Sequence, residues 1–178
     1  MNVVALLLLT ACSGPSGPAP ELPSATDVEG EIPVFSKDIS GSDRAAFCKN
    51  LEQHGFDVFS IGAVGKNELG ELEVGWNCSS KQDSLELQVE VYSRKGATAF
   101  HSLRATIRAI GGAETAKDGS AFFASIASLQ YAGNDSAQAK QWVSDSFDTS
   151  GSKVIIGSAV FRIWAPSART RSLWIDGV

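Results

Sequence analysis

The sequence is poor in the residues that most often carry catalysis and metal binding. Its 178 residues include two histidines, three cysteines and one methionine. The histidines, His54 and His101, are too far from each other and from a cysteine pair to match the close spacing of zinc ligands. No Gly-x-Ser-x-Gly elbow, phosphate-binding loop, dinucleotide fingerprint or His-Glu-x-x-His pair is present. We therefore expect no metal, no cofactor and no enzymatic activity.

The charge distribution argues against nucleic acid as a partner. Fifteen basic and twenty acidic residues give a formal net charge of −5 at pH 7, and the basic residues form no dense cluster. A nucleic-acid-binding domain is usually basic, because phosphate contacts supply most of its affinity. After residue 12 no apolar run approaches the roughly 18 residues of a membrane-spanning helix. Any membrane link is therefore expected at the N-terminus.

The first fourteen residues carry such a link. A short uncharged apolar run, Val3 to Leu9, leads into the order Leu9-Thr10-Ala11-Cys12. A bulky aliphatic residue, two small residues and a cysteine form a lipobox, so the chain resembles a bacterial lipoprotein precursor. The resemblance implies that residues 1–11 are a removed signal peptide and that Cys12 is lipidated. The chain would then be held at the cell membrane on its extracytoplasmic side.

One feature argues against the lipoprotein interpretation and another supports it. No Lys or Arg precedes the apolar run, although secretory signals normally begin with basic residues, so we expect the true start to lie upstream. The alternative is a buried strand that ends in Thr-Ala-Cys. The composition of residues 12–33 favours the lipoprotein, because a stretch rich in Pro, Ser and Gly cannot build a core and is typical of a tether. Residues 34–178 then form a single domain.

The other two cysteines predict a disulfide. With Cys12 lipidated, Cys48 and Cys78 remain as an even pair in an exported domain. Strand alternation places Cys78 on the same side as Trp76, facing the helix that carries Cys48. A bond between them would close a loop of about thirty residues and stabilise the fold by roughly 3.7 kcal/mol. The alternative is a pair of buried thiols.

Hydrophobic periodicity predicts an α+β domain, with an antiparallel sheet of about five or six strands and packed helices. One stretch is ambiguous, since Ala121 to Tyr131 fits a helix or a strand, and the preceding Asp118-Gly119 turn signal favours a strand. The predicted helices are Ser42 to His54, Ala97 to Ile110 and Ser136 to Phe147. The predicted strands are Phe56 to Val64, Leu72 to Cys78, Leu85 to Val91, Ala121 to Tyr131, Val154 to Trp164 and Leu173 to Val178.

The last two strands supply the candidate binding residues. Antiparallel pairing that sets Arg162 opposite Asp176 also sets Trp164 opposite Trp174, a favourable combination of cross-strand pairs. One face would then show two tryptophans beside an ion pair. Trp164, Trp174 and Arg162 would then form either aromatic cover for a packed helix or a stacking platform for a glycan or a lipid head group.

The order of elements, with Cys48 in the first helix and Trp76 and Cys78 on a strand, weakly resembles small envelope lipoproteins of unknown function from high-GC Gram-positive bacteria. The resemblance implies a non-catalytic binding or assembly role with an envelope protein as partner. One alternative is a carrier or sensor of a small lipid or glycan, which predicts a cavity lined by Trp142, Trp164 or Trp174. A less favoured alternative is an envelope hydrolase.

Overall fold

The computed structural model describes residues 37–66, 70–82, 84–110 and 119–178, which form one antiparallel sheet of seven strands and three helices. The strand order across the sheet is β1-β2-β3-β4-β7-β6-β5. The helices are α1 (Arg44–Gln53), α2 (Ser120–Ala127) and α3 (Ser136–Ser146). The strands are β1 (Asp57–Lys66), β2 (Leu72–Gln82), β3 (Leu85–Arg94), β4 (Ser102–Ala109), β5 (Lys153–Ile156), β6 (Ala159–Ser167) and β7 (Thr170–Gly177).

The predicted α+β class is confirmed, but the sheet has seven strands rather than five or six. One extra strand arises because the stretch predicted as a single strand, Val154 to Trp164, is the hairpin of β5 and β6. Its turn contains Gly157, whose φ of +57° lies in the left-handed region that favours glycine. A Cβ there would also strike the Gly133 backbone, so only glycine fits this turn.

The predicted helix from Ala97 to Ile110 is wrong, because its centre is strand β4. Leu103, Ala105, Ile107 and Ala109 are all buried and alternate along the strand. Phe100, Leu103, Ile107 and Ile110 also recur at helical spacing, and the small alanines between them weaken the signal of alternation. β4 pairs with β3 on one side and β7 on the other, so two hydrogen-bonded ladders outweigh local preference.

The predicted strand from Ala121 to Tyr131 is also wrong, because Ser120–Ala127 is helix α2. Its buried residues Phe123, Ile126 and Ala127 recur at helical spacing. Phe123 packs edge-on against Phe147 at the end of α3, with ring centroids 5.6 Å apart. Contact with α3 and the sheet thus selects the helix over the strand.

The predicted helices at both other positions are confirmed, and each begins at an aspartate. The Asp43 carboxylate accepts a hydrogen bond from the Ala46 amide and caps α1, one residue after the predicted start of the helix at Ser42. The Asp135 carboxylate accepts from the Ala137 and Gln138 amides and caps α3. Gly55 follows α1 with φ of +82°, as expected of a residue after a helix C-terminus.

The two faces of the sheet differ. On the helix-covered face, Leu87, Val89, Leu103 and Ile175 belong to one buried cluster with residues of all three helices. The opposite face, here called the open face, carries the alternate residues and has no helix packed on it among the described elements. The open face is built from rows of cross-strand neighbours, of which the central row is Asn77, Glu90, Arg104, Trp174, Arg162 and Lys153.

Residues 1–36 lie outside the described part, and with them the predicted lipobox, Cys12 and the tether. Within the described ranges, none of the helices has the length and apolar character that crossing a membrane requires.

Candidate functional site

The two cysteines of the domain are close, but they are not a disulfide. Cys48 on α1 and Cys78 on β2 are both buried free thiols, so the predicted disulfide is wrong. The alternation that placed Cys78 on the helix-covered face is confirmed, and Val58 is its cross-strand neighbour there. The two sulfur atoms are not at disulfide distance, and the thiols interact with each other as free thiols.

The contact between the two thiols shifts their pKa values in opposite directions. The hydrogen bond from Cys78 holds the pKa of the Cys48 thiol below its usual value, with help from the nearby Arg44 guanidinium and against the effect of burial. The same bond, together with burial, raises the pKa of Cys78. The Arg44 guanidinium also lies 4.0 Å from the centre of the Trp76 ring. This cluster therefore ties α1 to β2 through soft, polarisable contacts.

The C-terminal hairpin has a different register from the predicted one. Arg162 lies opposite Trp174 and Trp164 opposite Ser172, so the pairing is shifted by two residues. A shift of two keeps every side chain on its face, since strand side chains alternate with period two. Trp164, Trp174 and Arg162 consequently do share one face, the open face. The predicted ion pair between Arg162 and Asp176 also forms, as a diagonal contact.

Trp174 lies at the centre of this face between two arginines. The Arg104 guanidinium carbon is 4.8 Å from the ring centroid, and that of Arg162 is 5.9 Å away. These are cation–π distances, so the ring orients both guanidinium groups. Because the arginines flank it, the ring offers less free surface to a sugar than the predicted stacking platform would.

Each of these arginines has an acidic neighbour that is less exposed than itself. Arg104 lies 3.7 Å from Glu90, and their side chains are 40% and 22% exposed. Arg162 pairs with Asp176, and the exposed fractions are 41% and 10%. Ser102 donates a 2.6 Å hydrogen bond to Asp176 and holds that carboxylate in the sheet. The face therefore presents guanidinium groups outward and keeps the carboxylates beneath them.

The open face is electrostatically uneven. The half formed by β4, β7, β6 and β5, here called the basic half, carries Arg104, Arg108, Arg162 and Lys153, and its one acid is the buried Asp176. The half formed by β1 to β3 carries most of the acidic side chains, including Glu86 and Glu90. The chain as a whole has a net charge of −5, so the excess of cations is confined to the basic half of the open face.

The exposed large hydrophobic side chains of the described residues are on the same face. Phe59 lies opposite Asn77, and Ile61 and Val64 cover the side of Gly75 where a Cβ would point. At the other end of the sheet, Ile155 lies opposite Val160 and Trp164 opposite Ser172. The five hydrophobic side chains are 40–56% exposed. A face that combines apolar ends with arginines and a central tryptophan is typical of an interaction surface.

The helix-covered side contains a separate groove of about 780 Å³. It lies between α1 and α2, and apolar side chains and polar groups such as Asn50 and His54 contribute about equally to its lining. None of the four tryptophans lines it, so the predicted tryptophan-lined cavity is absent from this groove. Its apolar lining includes Phe47, Leu51, Phe56, Leu87, Phe122 and Ile126.

Sequence reasoning missed two parts of the open face. Arg104 lies within the predicted helix Ala97 to Ile110, whereas β4 places Arg104 and Arg108 on the open face. Tyr92, opposite Ser102, was not singled out, although burial raises its pKa and nearby Glu90 adds to the shift. The alternation from Leu85 to Tyr92 contained the signal, since it puts Tyr92 and Glu90 on one face.

No group of three or more His, Cys, Asp or Glu side chains in the described ranges is arranged to hold a metal ion. The surface offers hydrogen-bond donors, cations and aromatic rings, which suit recognition. Comparison with protein-family models, with curated proteins and with solved structures found no match to this chain.

Proposed function

We propose that this chain is a membrane-anchored extracytoplasmic lipoprotein whose domain is a non-catalytic binding or assembly module of the cell envelope. Its partner is an envelope protein, and the open face of the sheet is the docking surface. The observation that carries the proposal is the position of Trp174 between Arg104 and Arg162 on a face with no described helix packed on it.

The composition of the open face supports a protein partner. Tryptophan, tyrosine and arginine are the residues most enriched at binding hot spots, and this face has Trp164, Trp174, Tyr92, Arg104 and Arg162. Six strand spacings of about 4.8 Å and strands of about eight residues give a surface of roughly 760 Å². That is close to the roughly 800 Å² that each partner buries in a standard protein–protein interface.

The membrane anchor in this proposal rests on Leu9-Thr10-Ala11-Cys12 and the Pro-rich stretch after it. A tether of about twenty residues reaches between roughly 25 Å as a flexible coil and roughly 60 Å when fully extended. The domain could therefore meet partners within that distance of the membrane. Replacement of Cys12 by alanine should abolish lipid labelling and release the protein from the membrane fraction. Retention of both would refute the anchor.

Site-specific photo-cross-linking tests the docking surface. A benzoylphenylalanine at position 164 would lie on the open face, whereas one at Lys140, an exposed position on α3, would lie on the helix side. In the native envelope we expect a discrete protein adduct from position 164 and none of the same mass from position 140. Equal adducts from both positions, or adducts from position 140 alone, would refute docking through the open face.

The groove between α1 and α2 supports a second function, as a carrier of a small apolar ligand. A volume of about 780 Å³ lies in the range of small-molecule sites, and the lining combines apolar side chains with a similar share of polar groups. The test is N-phenyl-1-naphthylamine, a dye whose fluorescence rises in apolar sites. We expect enhancement with the native domain and its loss in Ala46→Trp, which fills the groove with an indole. No enhancement with the native domain would exclude this function.

A further inference from the structure

The basic half of the open face narrows the chemistry of the partner. Resting on the proposed docking function, we infer that this half binds an acidic, extended segment of the partner protein, with carboxylates seated on Arg104 and Arg162. Arg108 and Lys153 lie on the same face, at greater distance along and across the strands. The occupant is a peptide segment with glutamate or aspartate at alternate positions.

The spacing of the two guanidinium groups fits such a segment. Both lie within 6 Å of the Trp174 ring centroid, so they are at most about 11 Å apart. Carboxylates two residues apart on an extended chain point to the same side and lie roughly 6.6 Å apart at their backbone positions. Flexible glutamate side chains cover the remaining distance. Two acidic residues of one segment can therefore reach the two arginines together.

The arginines retain the capacity to bind these carboxylates. The closest contact of Arg104 with Glu90 is 3.7 Å, longer than a hydrogen bond, so the Arg104 guanidinium is held near an acid without donating to it. Arg162 donates one Nη to Asp176. Arginine is the side chain best suited to this role, because its planar fork donates two parallel hydrogen bonds to one carboxylate.

The same geometry disfavours a glycan and a lipid surface. The Trp174 ring is flanked by guanidinium groups, so it offers less area on which a sugar could stack. A membrane surface would cover Glu86 and Glu90 together with the cations, and anionic head groups would repel these carboxylates. A narrow acidic segment that lies across β4, β7 and β6 covers neither acid, although its carboxylate on Arg104 lies beside Glu90.

The test uses the full-length chain and a labelled nine-residue peptide with glutamate at alternate positions. Affinity is measured by fluorescence anisotropy, and the indole N–H signals of the tryptophans are followed by NMR. We expect the peptide to shift the Trp174 signal and not that of Trp142, which packs against Phe161. The same peptide with glutamine in place of glutamate should not bind.

Charge-matched variants separate the site from general attraction. Arg104→Gln with Arg162→Gln should weaken binding at least tenfold. Lys49→Gln with Lys140→Gln removes the same charge from exposed helix positions and should change the affinity less than twofold. Arg104→Lys with Arg162→Lys keeps the charge but loses the fork, and a threefold or greater loss is expected. If the variant Arg104→Gln with Arg162→Gln does not fold, as judged by circular dichroism, the variant Arg104→Lys with Arg162→Lys provides the test.

Three outcomes would overturn the inference. The first is equal weakening of peptide binding by the glutamine substitutions at Arg104 and Arg162 and by those at Lys49 and Lys140. The second is unchanged affinity when Arg104 and Arg162 are both replaced by lysine. The third is tighter binding of polygalacturonate or phosphatidylglycerol vesicles than of the acidic peptide at equal charge. The cross-linking result separates this inference from the docking function. A partner captured from position 164 without binding of the acidic peptide would refute the acidic segment alone.

Discussion

Replacement of Arg171 by methionine should destabilise the domain more than any surface change on the open face. Arg171 is 9% exposed, and its guanidinium donates to the backbone carbonyls of Phe147, Ser167 and Thr170. It thereby joins the end of α3 to the turn between β6 and β7. Its contact with the Asp148 carboxylate, at 2.9 Å, is the exposed part of the arrangement, because the Asp148 side chain is 72% exposed.

The magnitude follows from these partners. Hydrogen bonds from a charged donor contribute roughly 1.5–3 kcal/mol each, and burial of the guanidinium takes back part of that gain. Methionine fills a similar volume but leaves three carbonyl oxygens without their donor, of which water can reach some. We expect Arg171→Met to lower the free energy of unfolding by about 3 kcal/mol, or the melting temperature by roughly 6–12 °C.

Urea unfolding followed by circular dichroism measures this change, with Asp148→Asn as the control. Loss of the exposed ion pair alone should cost less than about 1 kcal/mol. The reasoning fails if Arg171→Met costs less than 1 kcal/mol, because the carbonyl contacts would then contribute little. It also fails if Asp148→Asn costs as much as Arg171→Met, because the ion pair would then be the dominant contact.

Three further predictions concern the thiols, a buried tyrosine and a crowded glycine. Alkylation of the Cys12→Ala chain in denaturant without reductant should label both Cys48 and Cys78, and recovery of neither thiol would show that a disulfide forms after all. Burial raises the pKa of Tyr131, whose hydroxyl donates to the Ile156 carbonyl, so stability should be full below the unfolded-state value near 10 and fall as the pH rises above it. Unfolding measured at pH 7 and pH 11 should show a smaller alkaline loss in Tyr131→Phe, and an equal loss would contradict this. Gly177→Ala drives a Cβ into the Lys37 carbonyl oxygen and should lower the free energy of unfolding by about 3 kcal/mol. Gly55→Ala has open space around it and should lower it by only about 1–2 kcal/mol, because of the positive φ. Equal losses of stability in thermal unfolding would argue against the close contact at Gly177.

Local pattern was sufficient for elements with an unbroken period. The alternation of Leu85, Leu87, Val89 and Val91 predicted β3, and the helical spacing of apolar residues from Ser136 to Phe147 predicted α3. It failed at β4 because Ala105 and Ala109 are buried yet too small to strengthen the alternation. What makes Ser102–Ala109 a strand is pairing with β7, about seventy residues further along the chain, and no local window contains that information.

The candidate site shows the same division. Parity along β6 and β7 was enough to place Trp164, Trp174 and Arg162 on one face, because parity survives a shift of two residues. The register itself depended on an irregularity between Trp164 and Ser167, which the sequence did not reveal. The neighbour that completes the site, Arg104, comes from β4 and became visible only with the correct strand order. Similarly, parity brought Cys48 and Cys78 face to face but could not set the distance between their sulfur atoms.

The interior position of β7 has a consequence for the order of assembly. Without β7, the described strands form two separate pieces, the four-strand meander of β1 to β4 and the short hairpin of β5 and β6. The edges of β4 and β6 that β7 will join are then both unpaired, beside apolar side chains such as Ile107 and Phe161. Such edges template aggregation, and closing them requires contacts between distant parts of the chain, which form slowly. A chain stalled or cleaved before Thr170 would therefore leave the edges of β4 and β6 unpaired.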